Sequence, residues 1–318
     1  MSNIPFSFVK VPEGASLYTV GGYDSGYFDD CDCFDKAGNS WSNKAAITVA
    51  AYYISAIAIG SSKGYLFCSA NAGSFYDNAC ESYTQSTNSW ASITAYPETN
   101  GRTSNGRAVP RSSGIAYVYN GRSNIWSQTT DCKSYTANSD SWATKTSTDA
   151  PAMWGLGSAS IGTNYCYRYY GVAMPDCSTK YHFDDCERYS VSGNSWVART
   201  AGPGSDRYLV VGDSVGADSM LALGGKTGSP SSTADCDMYT ESSNSWTGKT
   251  DIVSPTRQSG GAARIGSNYI YYVYGYQQAG TGYLKDCDEY NYSGNSWATK
   301  TDGPTPEREF SGNSTVVL

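Results

Sequence analysis

The sequence predicts an all-β fold, a six-bladed β-propeller with four antiparallel strands in each blade. Three observations support this prediction: a unit that occurs six times, residues at fixed positions within that unit, and turn-forming residues between short runs that favour strands. One tryptophan marks each unit, and successive tryptophans are 49 to 54 residues apart. They are Trp41, Trp90, Trp142, Trp196, Trp246 and Trp297. We therefore expect residues 1–318 to form a single domain.

Each unit also carries a cysteine and a second aromatic residue in constant register. The cysteine lies ten residues before the tryptophan, at Cys31, Cys80, Cys132, Cys186, Cys236 and Cys287. The aromatic residue lies three residues after the cysteine, at Phe34, Tyr83, Tyr135, Tyr189, Tyr239 and Tyr290. Asn-Ser precedes the tryptophan in five units, and Asp-Ser precedes it in the third. Chance does not place six such units in register.

The last complete unit shows the four expected strands in order. Residues 259–265 and 269–274 form two strand-like runs, and the second run ends at Gly275. Residues 286–290 form the third run, and a fourth begins at Trp297. The turn at 293–295 reads Ser-Gly-Asn, and Gly and Asn tolerate the positive φ that tight hairpins need. Four short strands per unit are typical of a propeller blade.

These residues resemble the Kelch repeat family. Kelch blades carry a diglycine at the end of the second strand, then Asp-hydrophobe-x-x-Tyr, then the tryptophan. The diglycine is intact at Gly21-Gly22 and Gly224-Gly225. Its other counterparts are interpreted as Ala70-Asn71, Asn120-Gly121, Tyr170-Gly171 and Tyr274-Gly275. Cysteine stands at the hydrophobe in all six units, and Ala79 replaces the Asp in the second. The resemblance implies a Kelch-type propeller over nearly the whole chain.

Two terminal segments compete for one strand position. Residues 6–11 and residues 310–318 both align with the first strand of the first blade. Kelch propellers often close with strands from both termini in one blade, which favours the C-terminal segment in that position. The N-terminal segment would then pack outside the ring or contact another chain.

The ten cysteines do not predict a disulfide framework. Equivalent third-strand positions in a six-fold ring are too far apart for the ~4.4–6.8 Å Cα separation of a disulfide. The six repeat cysteines are therefore interpreted as small buried hydrophobes. Of the other four, Cys33, Cys68, Cys166 and Cys177, the pairs Cys68–Cys80 and Cys166–Cys186 could lie close together. Free thiols are nevertheless expected.

Composition excludes several classes of function. The net charge is −7 with only 22 Lys and Arg and no basic run, so nucleic acid is not an expected partner. The most apolar stretch, 45–60, is too short and too polar for membrane insertion. His182 is the only histidine, which excludes metal sites with two or more His ligands, and the calcium-loop pattern fails at Phe34. No catalytic, cofactor-binding or metal-binding residues are expected.

Ligand binding is expected where the repeats differ. Length variation is concentrated in the loop between the second and third strands, and in Kelch proteins that loop contributes to the ligand-binding face. The predicted ligand-binding residues are Tyr23, Phe75, Arg122, Trp126, Met174, Tyr181, Gln277, Gln278 and Tyr283. An alternative applies to Tyr27, Tyr76, His182 and Tyr283. All four lie four residues before the repeat cysteine, a spacing that also suits packing inside a blade.

The function that the sequence favours is non-enzymatic binding or adhesion, with a protein or a glycan as ligand. The repeats look like Kelch repeats of bacterial and bacteriophage proteins, which suits a virion (phage tail or surface) or cell-surface component. Terminal strands could then mediate assembly into a larger particle. The N-terminus lacks a secretory signal, so we expect cytoplasmic synthesis, which is compatible with virion association. The alternatives are an intracellular protein–protein adaptor and a metal-free, mutarotase-like sugar isomerase.

Overall fold

A computed structural model confirms the predicted fold class. It describes residues 13–72, 74–98, 107–108, 114–124, 127–173, 180–204, 206–228, 231–253, 255–278, 280, 282–310 and 314–318. These residues form six antiparallel blades of four strands arranged as a β-propeller. No helix within the described ranges is long and apolar enough to cross a membrane.

The first three blades differ mainly in their innermost strands. Blade I consists of β1 (Leu17–Val20), β2 (Cys31–Asp35), β3 (Ser40–Lys44) and the C-terminal β27 (Thr315–Val317). Blade II has its inner strand in two pieces, β4 (Ala51–Tyr52) and β5 (Ser55–Ala58), followed by β6 (Lys63–Asn71), β7 (Ser74–Thr84) and β8 (Ser89–Ile93). Blade III consists of β9 (Arg107–Ala108), β10 (Ile115–Tyr119), β13 (Cys132–Thr136) and β14 (Ser141–Lys145). A small hairpin of β11 (Arg122–Asn124) and β12 (Ser127–Gln128) projects from it.

The last three blades follow the regular order from the centre outward. Blade IV consists of β15 (Gly157–Ile161), β16 (Tyr165–Ala173), β17 (Tyr181–Ser190) and β18 (Ser195–Arg199). Blade V consists of β19 (Ser214–Val215), β20 (Ser219–Leu223), β21 (Cys236–Thr240) and β22 (Ser245–Gly248). Blade VI consists of β23 (Gly261–Ile265), β24 (Tyr269–Gln277), β25 (Gly282–Asn291) and β26 (Ser296–Thr299).

The C-terminal segment occupies the innermost position of blade I. Strand β27 pairs antiparallel with β1, with Tyr18 opposite Val316 and Leu17 opposite Val317. It also lies beside the inner strands β5 and β23 of the neighbouring blades. The alternative N-terminal segment, residues 6–11, lies outside the described residues.

The Asn-Ser-Trp motif joins each blade to the one before it through two hydrogen bonds. At the junction of blades V and VI, the Trp297 indole N–H donates to the carbonyl of Thr250 (2.8 Å), and the Thr250 N–H donates to Oδ1 of Asn295 (3.0 Å). The same two bonds occur at all six junctions, with Asp140 in place of Asn in blade III. At the closing junction, Trp41 and Asn39 of blade I bind Thr301 of blade VI.

The backbone explains why this position is Asn or Asp. Its φ lies between 44° and 48° in all six blades, a conformation that Asn and Asp adopt more readily than most residues. The same side-chain oxygen accepts a hydrogen bond from the repeat tyrosine in five blades, as Asn295 does from Tyr290 (2.7 Å). Phe34 stands in the tyrosine's place in blade I. The Asn or Asp side chain therefore holds the repeat tyrosine of its own blade and the backbone of the preceding blade, and its backbone forms the turn.

The hydrophobic core lies between the blades. Six clusters of buried residues fill the six junctions, and each repeat cysteine belongs to a different cluster. The repeat aromatic faces the opposite junction. In blade II, for example, Cys80 packs towards blade III and Tyr83 packs towards blade I. The cysteines thus act as small hydrophobes on a blade that is buried on both faces.

Thiol titration of the denatured chain without reductant is expected to detect all ten cysteines, since the nine that the structure describes are free and buried. In the native protein the nine described thiols should react only as fast as it unfolds, because burial raises the pKa of Cys31, Cys186 and Cys287 and disfavours the reactive thiolate. Ellman's reagent with and without guanidinium measures both states. A denatured titre no higher than the six repeat cysteines would contradict the expectation.

One part of the repeat alignment was wrong. The residue that begins each diglycine position follows the partner of the repeat cysteine and has a positive φ, as at Gly21 (63°) and Tyr274 (55°). In blade II, Phe67 pairs with Cys80, and the positive φ of 54° falls on Cys68. The position is therefore Cys68-Ser69 rather than Ala70-Asn71. The misalignment arose because no glycine marks this position in blade II, so the shift of two residues was hidden.

Candidate functional site

One face of the propeller carries two sets of loops around the mouth of the central channel. Because neighbouring strands are antiparallel, the loops between second and third strands emerge at the same end as the connections from an outer strand to the next inner strand. Side chains from both sets form a continuous series of contacts that we call the rim arc. Its members, in order around the ring, are Arg122, Trp154, Tyr208, Lys226, Ser232, Tyr276, Tyr283, Tyr23 and Tyr52, with Glu309 beside the last two.

One half of the rim arc is a group of tyrosines from blades VI, I and II. The Tyr23 ring lies 5.2 Å from Tyr52, 5.4 Å from Tyr27 and 6.3 Å from Tyr283, measured between ring centroids. Tyr283 in turn contacts Tyr276 at 5.2 Å. Tyr52 is buried, whereas the other four rings are half-buried and keep part of their surface in solvent. Burial, and then the charge of Glu309, raise the pKa of Tyr283 to about 12, so this hydroxyl is neutral and able to donate.

Glu309 places one carboxyl beside these rings. Its backbone forms a reciprocal pair of hydrogen bonds with Tyr23, each 3.0 Å long. The Tyr52 hydroxyl donates to Oε1 of Glu309 at 2.8 Å. Burial raises the pKa of the Glu309 carboxyl, and hydrogen bonds from Tyr52 and Ser259 together with the charge of Lys226 offset part of that rise. The site therefore offers a carboxyl group held by a neutral hydroxyl.

The other half of the rim arc combines aromatic and basic side chains from blades III to V. The Arg122 guanidinium lies 4.0 Å from the centre of the Trp154 ring, which meets Tyr208 edge to face at 5.9 Å. His182 stacks on Tyr208 with centroids 4.9 Å apart. Lys226 pairs with Tyr208 through the backbone, and its ammonium lies 5.9 Å from that ring. Burial lowers the pKa of both His182 and Lys226, so the imidazole is neutral near pH 7.

Ser232 connects the two halves. It forms a backbone bridge with Lys226, and its hydroxyl donates to the carbonyl of Tyr276 (3.3 Å). It also accepts a hydrogen bond from the N–H of Gln278 (3.2 Å). The rim arc therefore runs without a break from Arg122 in blade III to Tyr52 in blade II.

The structure brings only some of the predicted residues together. Tyr23 and Tyr283 are in contact, Gln277 and Gln278 follow Tyr276, and Arg122 lies on Trp154. Tyr181 is 49% exposed at the start of β17 and is not part of the contact series that defines the rim arc. The backbone of Phe75 lies in β7. Trp126 and Met174 lie outside the described residues.

Seven members of the rim arc were not predicted from the sequence: Tyr52, Trp154, Tyr208, Lys226, Ser232, Tyr276 and Glu309. Tyr52, Trp154, Tyr208 and Glu309 lie where the chain passes from an outer strand to the next inner strand, and these connections vary little in length. Their spacing could have revealed them, because all four lie 11 or 12 residues after a repeat tryptophan. The antiparallel order then places that position at the same end as the predicted loops. His182, which was expected to be structural, packs within this site.

Within the described ranges, no group of three or more His, Cys, Asp or Glu side chains is arranged to hold a metal ion. What the rim arc offers instead is aromatic faces, tyrosine hydroxyls, one carboxyl and two basic side chains. Such a set suits non-covalent recognition of a polar ligand with apolar faces.

Comparisons with known proteins identify the fold and no family. No protein-family model matches this chain, and no curated protein matches it. Among solved structures, 832 chains match. One of them, titled "Structure of YjhT", has a TM-score of 0.71 over 94% of this chain and 100% of that chain, at 15% sequence identity. At that identity the similarity shows the propeller fold alone, and a fold shared so widely does not specify a function.

Proposed function

We propose that this protein is a binding module that recognises a glycan at the rim arc. The observation that carries the proposal is the contiguous group of half-exposed tyrosines around Glu309. A sugar ring has apolar faces, which suit aromatic rings, and hydroxyl edges, which suit a carboxylate and phenolic hydroxyls. Rigid aromatic side chains also lose little conformational entropy on binding. The β-propeller scaffold supports this role because it holds the loops between second and third strands at one mouth of the channel.

We also propose that the propeller is of the Kelch type. The support comes from the two intact diglycines, the Cys-x-x-aromatic spacing and the repeat tryptophan. Each of these has an observed structural role: the diglycine position takes a positive φ, and the tryptophan bonds to the preceding blade. In Kelch proteins, the loops that here carry Tyr23 and Tyr283 contribute to ligand binding. The resemblance therefore favours the same face as the contacts do.

Replacing Tyr23 or Tyr283 by Ala is expected to weaken glycan binding by about tenfold, or about 1.4 kcal/mol, because each ring supplies contact area to the ligand. Tyr181→Ala is the matched control, since that ring is 49% exposed and lies outside the rim arc. A glycan array followed by calorimetry on the best ligand measures the effect. Unchanged affinity in both rim-arc variants, with the fold intact by circular dichroism, would refute the proposed site.

A second candidate function rests on Glu309. Mutarotation of a sugar needs one group that accepts the proton of the anomeric hydroxyl and one that donates a proton to the ring oxygen. A carboxyl with a raised pKa beside the Tyr52 hydroxyl offers such a pair. NMR measurement of the rate of anomer exchange tests it directly. Exchange that is no faster with wild-type protein than with Glu309→Gln excludes the isomerase and leaves glycan binding to be judged by the array.

The biological setting is a further part of the proposal. The style of the repeats, which resembles that of bacterial and bacteriophage proteins, supports a virion or cell-surface component. Detection of the chain in stoichiometric amounts in purified particles is the expected result. Recovery with a defined cytosolic partner instead would favour the adaptor alternative.

A further inference from the structure

One position of the repeat carries a charged side chain in every blade. It directly follows the repeat cysteine, and its residues are Asp32, Glu81, Lys133, Glu187, Asp237 and Asp288. In five blades this side chain forms an ion pair. The partners are Arg308 for Asp32 (3.0 Å), Glu98 for Lys133 (3.0 Å), Arg168 for Glu187 (2.5 Å), Arg207 for Asp237 and Arg257 for Asp288. The guanidinium groups among these partners are fully buried.

Blade II breaks this pattern. The Glu81 carboxylate accepts hydrogen bonds from the Thr48 N–H (3.3 Å) and from the Thr48 hydroxyl. In the part of the chain that the structure describes, no Lys or Arg pairs with it. Leu66 stands opposite Glu81 in the strand register, where blade IV has Arg168 opposite Glu187. Among the described residues, blade II thus keeps the anionic half of the pair without a cationic half.

A cavity of about 310 Å³ lies beside this carboxylate. Its polar lining includes Glu81 and Asp77, and its apolar lining includes Ile54 and Leu66, with the exposed Val49 at its edge. Asp77 accepts hydrogen bonds from the Asn71 side chain (2.6 Å) and the Ala79 N–H (2.9 Å), so neutral donors hold it in place as Thr48 holds Glu81. The volume is at the lower end of the range for ligand pockets, which suits a small molecule or a single side chain.

We infer that the blade II cavity binds an alkylguanidinium group, with the cation on Glu81 and the aliphatic chain against Leu66 and Ile54. Three other blades show that this position accepts an arginine guanidinium from a neighbouring connection, and blade IV accepts one from its own second strand. A planar cation can pair with a carboxylate through two hydrogen bonds, whereas a neutral group of the same shape cannot balance the charge. The site is separate from the rim arc and does not depend on the function proposed there.

Agmatine is the probe, and its binding to the full chain is expected to be saturable by calorimetry. Glu81→Gln should weaken that binding by at least about tenfold, because a charged hydrogen bond is lost. Glu307→Gln, the same substitution at an exposed glutamate, is the matched control and should leave the affinity unchanged. Equal affinities in wild-type protein and the Glu81 variant would overturn the inference.

Two further measurements keep the test decisive if a variant is unstable. Butylurea, a neutral analogue of an alkylguanidinium, should not bind the wild-type protein, and binding as tight as that of agmatine would overturn recognition of the charge. Leu66→Arg should abolish agmatine binding by supplying a guanidinium opposite Glu81, whereas Leu66→Met should retain it. Retained binding in a folded Leu66→Arg variant would contradict the assigned site.

The source of the guanidinium group is decided by a competition arm. A short peptide with one arginine that displaces agmatine indicates the side chain of a partner protein. Binding of agmatine without competition by the peptide indicates a free small molecule. Both results retain the cavity as an alkylguanidinium site.

Discussion

Removing residues 314–318 is expected to abolish cooperative folding of the whole chain. Strand β27 is the inner strand of blade I, and its alternating side chains serve two junctions. Val316 packs in the core between blades I and II, and Val317 packs in the core between blades VI and I. Each fully buried side chain contributes roughly 1.5–3 kcal/mol, so losing Val316, Val317 and Leu318 approaches the ~5–15 kcal/mol total stability of a typical protein.

The loss also exposes a strand edge. In the intact ring, Ser16 and Leu318 exchange two backbone hydrogen bonds of 2.9 and 3.1 Å. After truncation, the N–H and C=O groups of Ser16 would lose these partners. Denaturant unfolding followed by tryptophan fluorescence measures the effect, and a synthetic peptide of residues 310–318 should restore a cooperative transition. A truncated chain with an unchanged midpoint would show that β27 does not close the ring.

A point substitution separates loss of packing from loss of chain length. Val317→Asp buries a carboxylate between blades VI and I and should cost several kcal/mol, roughly the penalty for an unpaired buried charge. Val253→Asp is the matched control, because that side chain is 37% exposed. Similar midpoints for the two variants would contradict the core position of Val317.

The repeat was predictable from the sequence because six similar blades require the same residue spacing six times. The tryptophans, cysteines and repeat aromatics therefore gave the blade number and the strand order correctly. The spacing could not show which atoms join the blades. Asn295 accepts a hydrogen bond from the Thr250 N–H, and Trp297 donates one to the Thr250 carbonyl. These bonds depend on how neighbouring blades are placed in three dimensions. The shift to Cys68-Ser69 was equally hidden, because no glycine marks that position.

The candidate site was only partly predictable. Tyr23 and Tyr283 were named separately, but their contact joins residues at opposite ends of the chain and depends on ring closure. Tyr52 and Glu309 could not be predicted from differences in loop length, because these residues lie in connections of nearly constant length. Residues at repeated positions can be predicted from the sequence because the fold requires them. Contacts between different loops around the channel mouth depend on how the ring closes, which the sequence does not show.

Replacing Arg257 by Met is expected to cost about 3–5 kcal/mol, the usual penalty for leaving one member of a buried ion pair without its partner. Arg257 is completely buried, pairs with Asp288 and lies 4.3 Å from the centre of the Tyr272 ring. Lys63→Met is the control, since that cation is exposed. Urea unfolding at pH 7 measures both, and a loss for Arg257→Met as small as the control's would mean that the pair contributes little.

The pH dependence identifies the cause of that loss. Burial already raises the pKa of Asp288 against the opposing effect of Arg257, and removing the arginine should raise it further. The native state of the variant then binds a proton more tightly than the unfolded chain does, so its stability is present at low pH and is lost as the pH rises through the raised pKa. The difference in unfolding free energy between the variant and the wild-type protein should therefore shrink as the pH falls from about 7 to about 4.

A double substitution completes the argument. Arg257→Met combined with Asp288→Leu removes both charges, and an apolar pair of similar volume is often as stable as the ion pair it replaces. We expect the double variant to regain most of the stability lost by Arg257→Met. If the loss is instead independent of pH and persists in the double variant, then Arg257 stabilises blade VI through its packing against Tyr272, and the charge of Asp288 has no part in it.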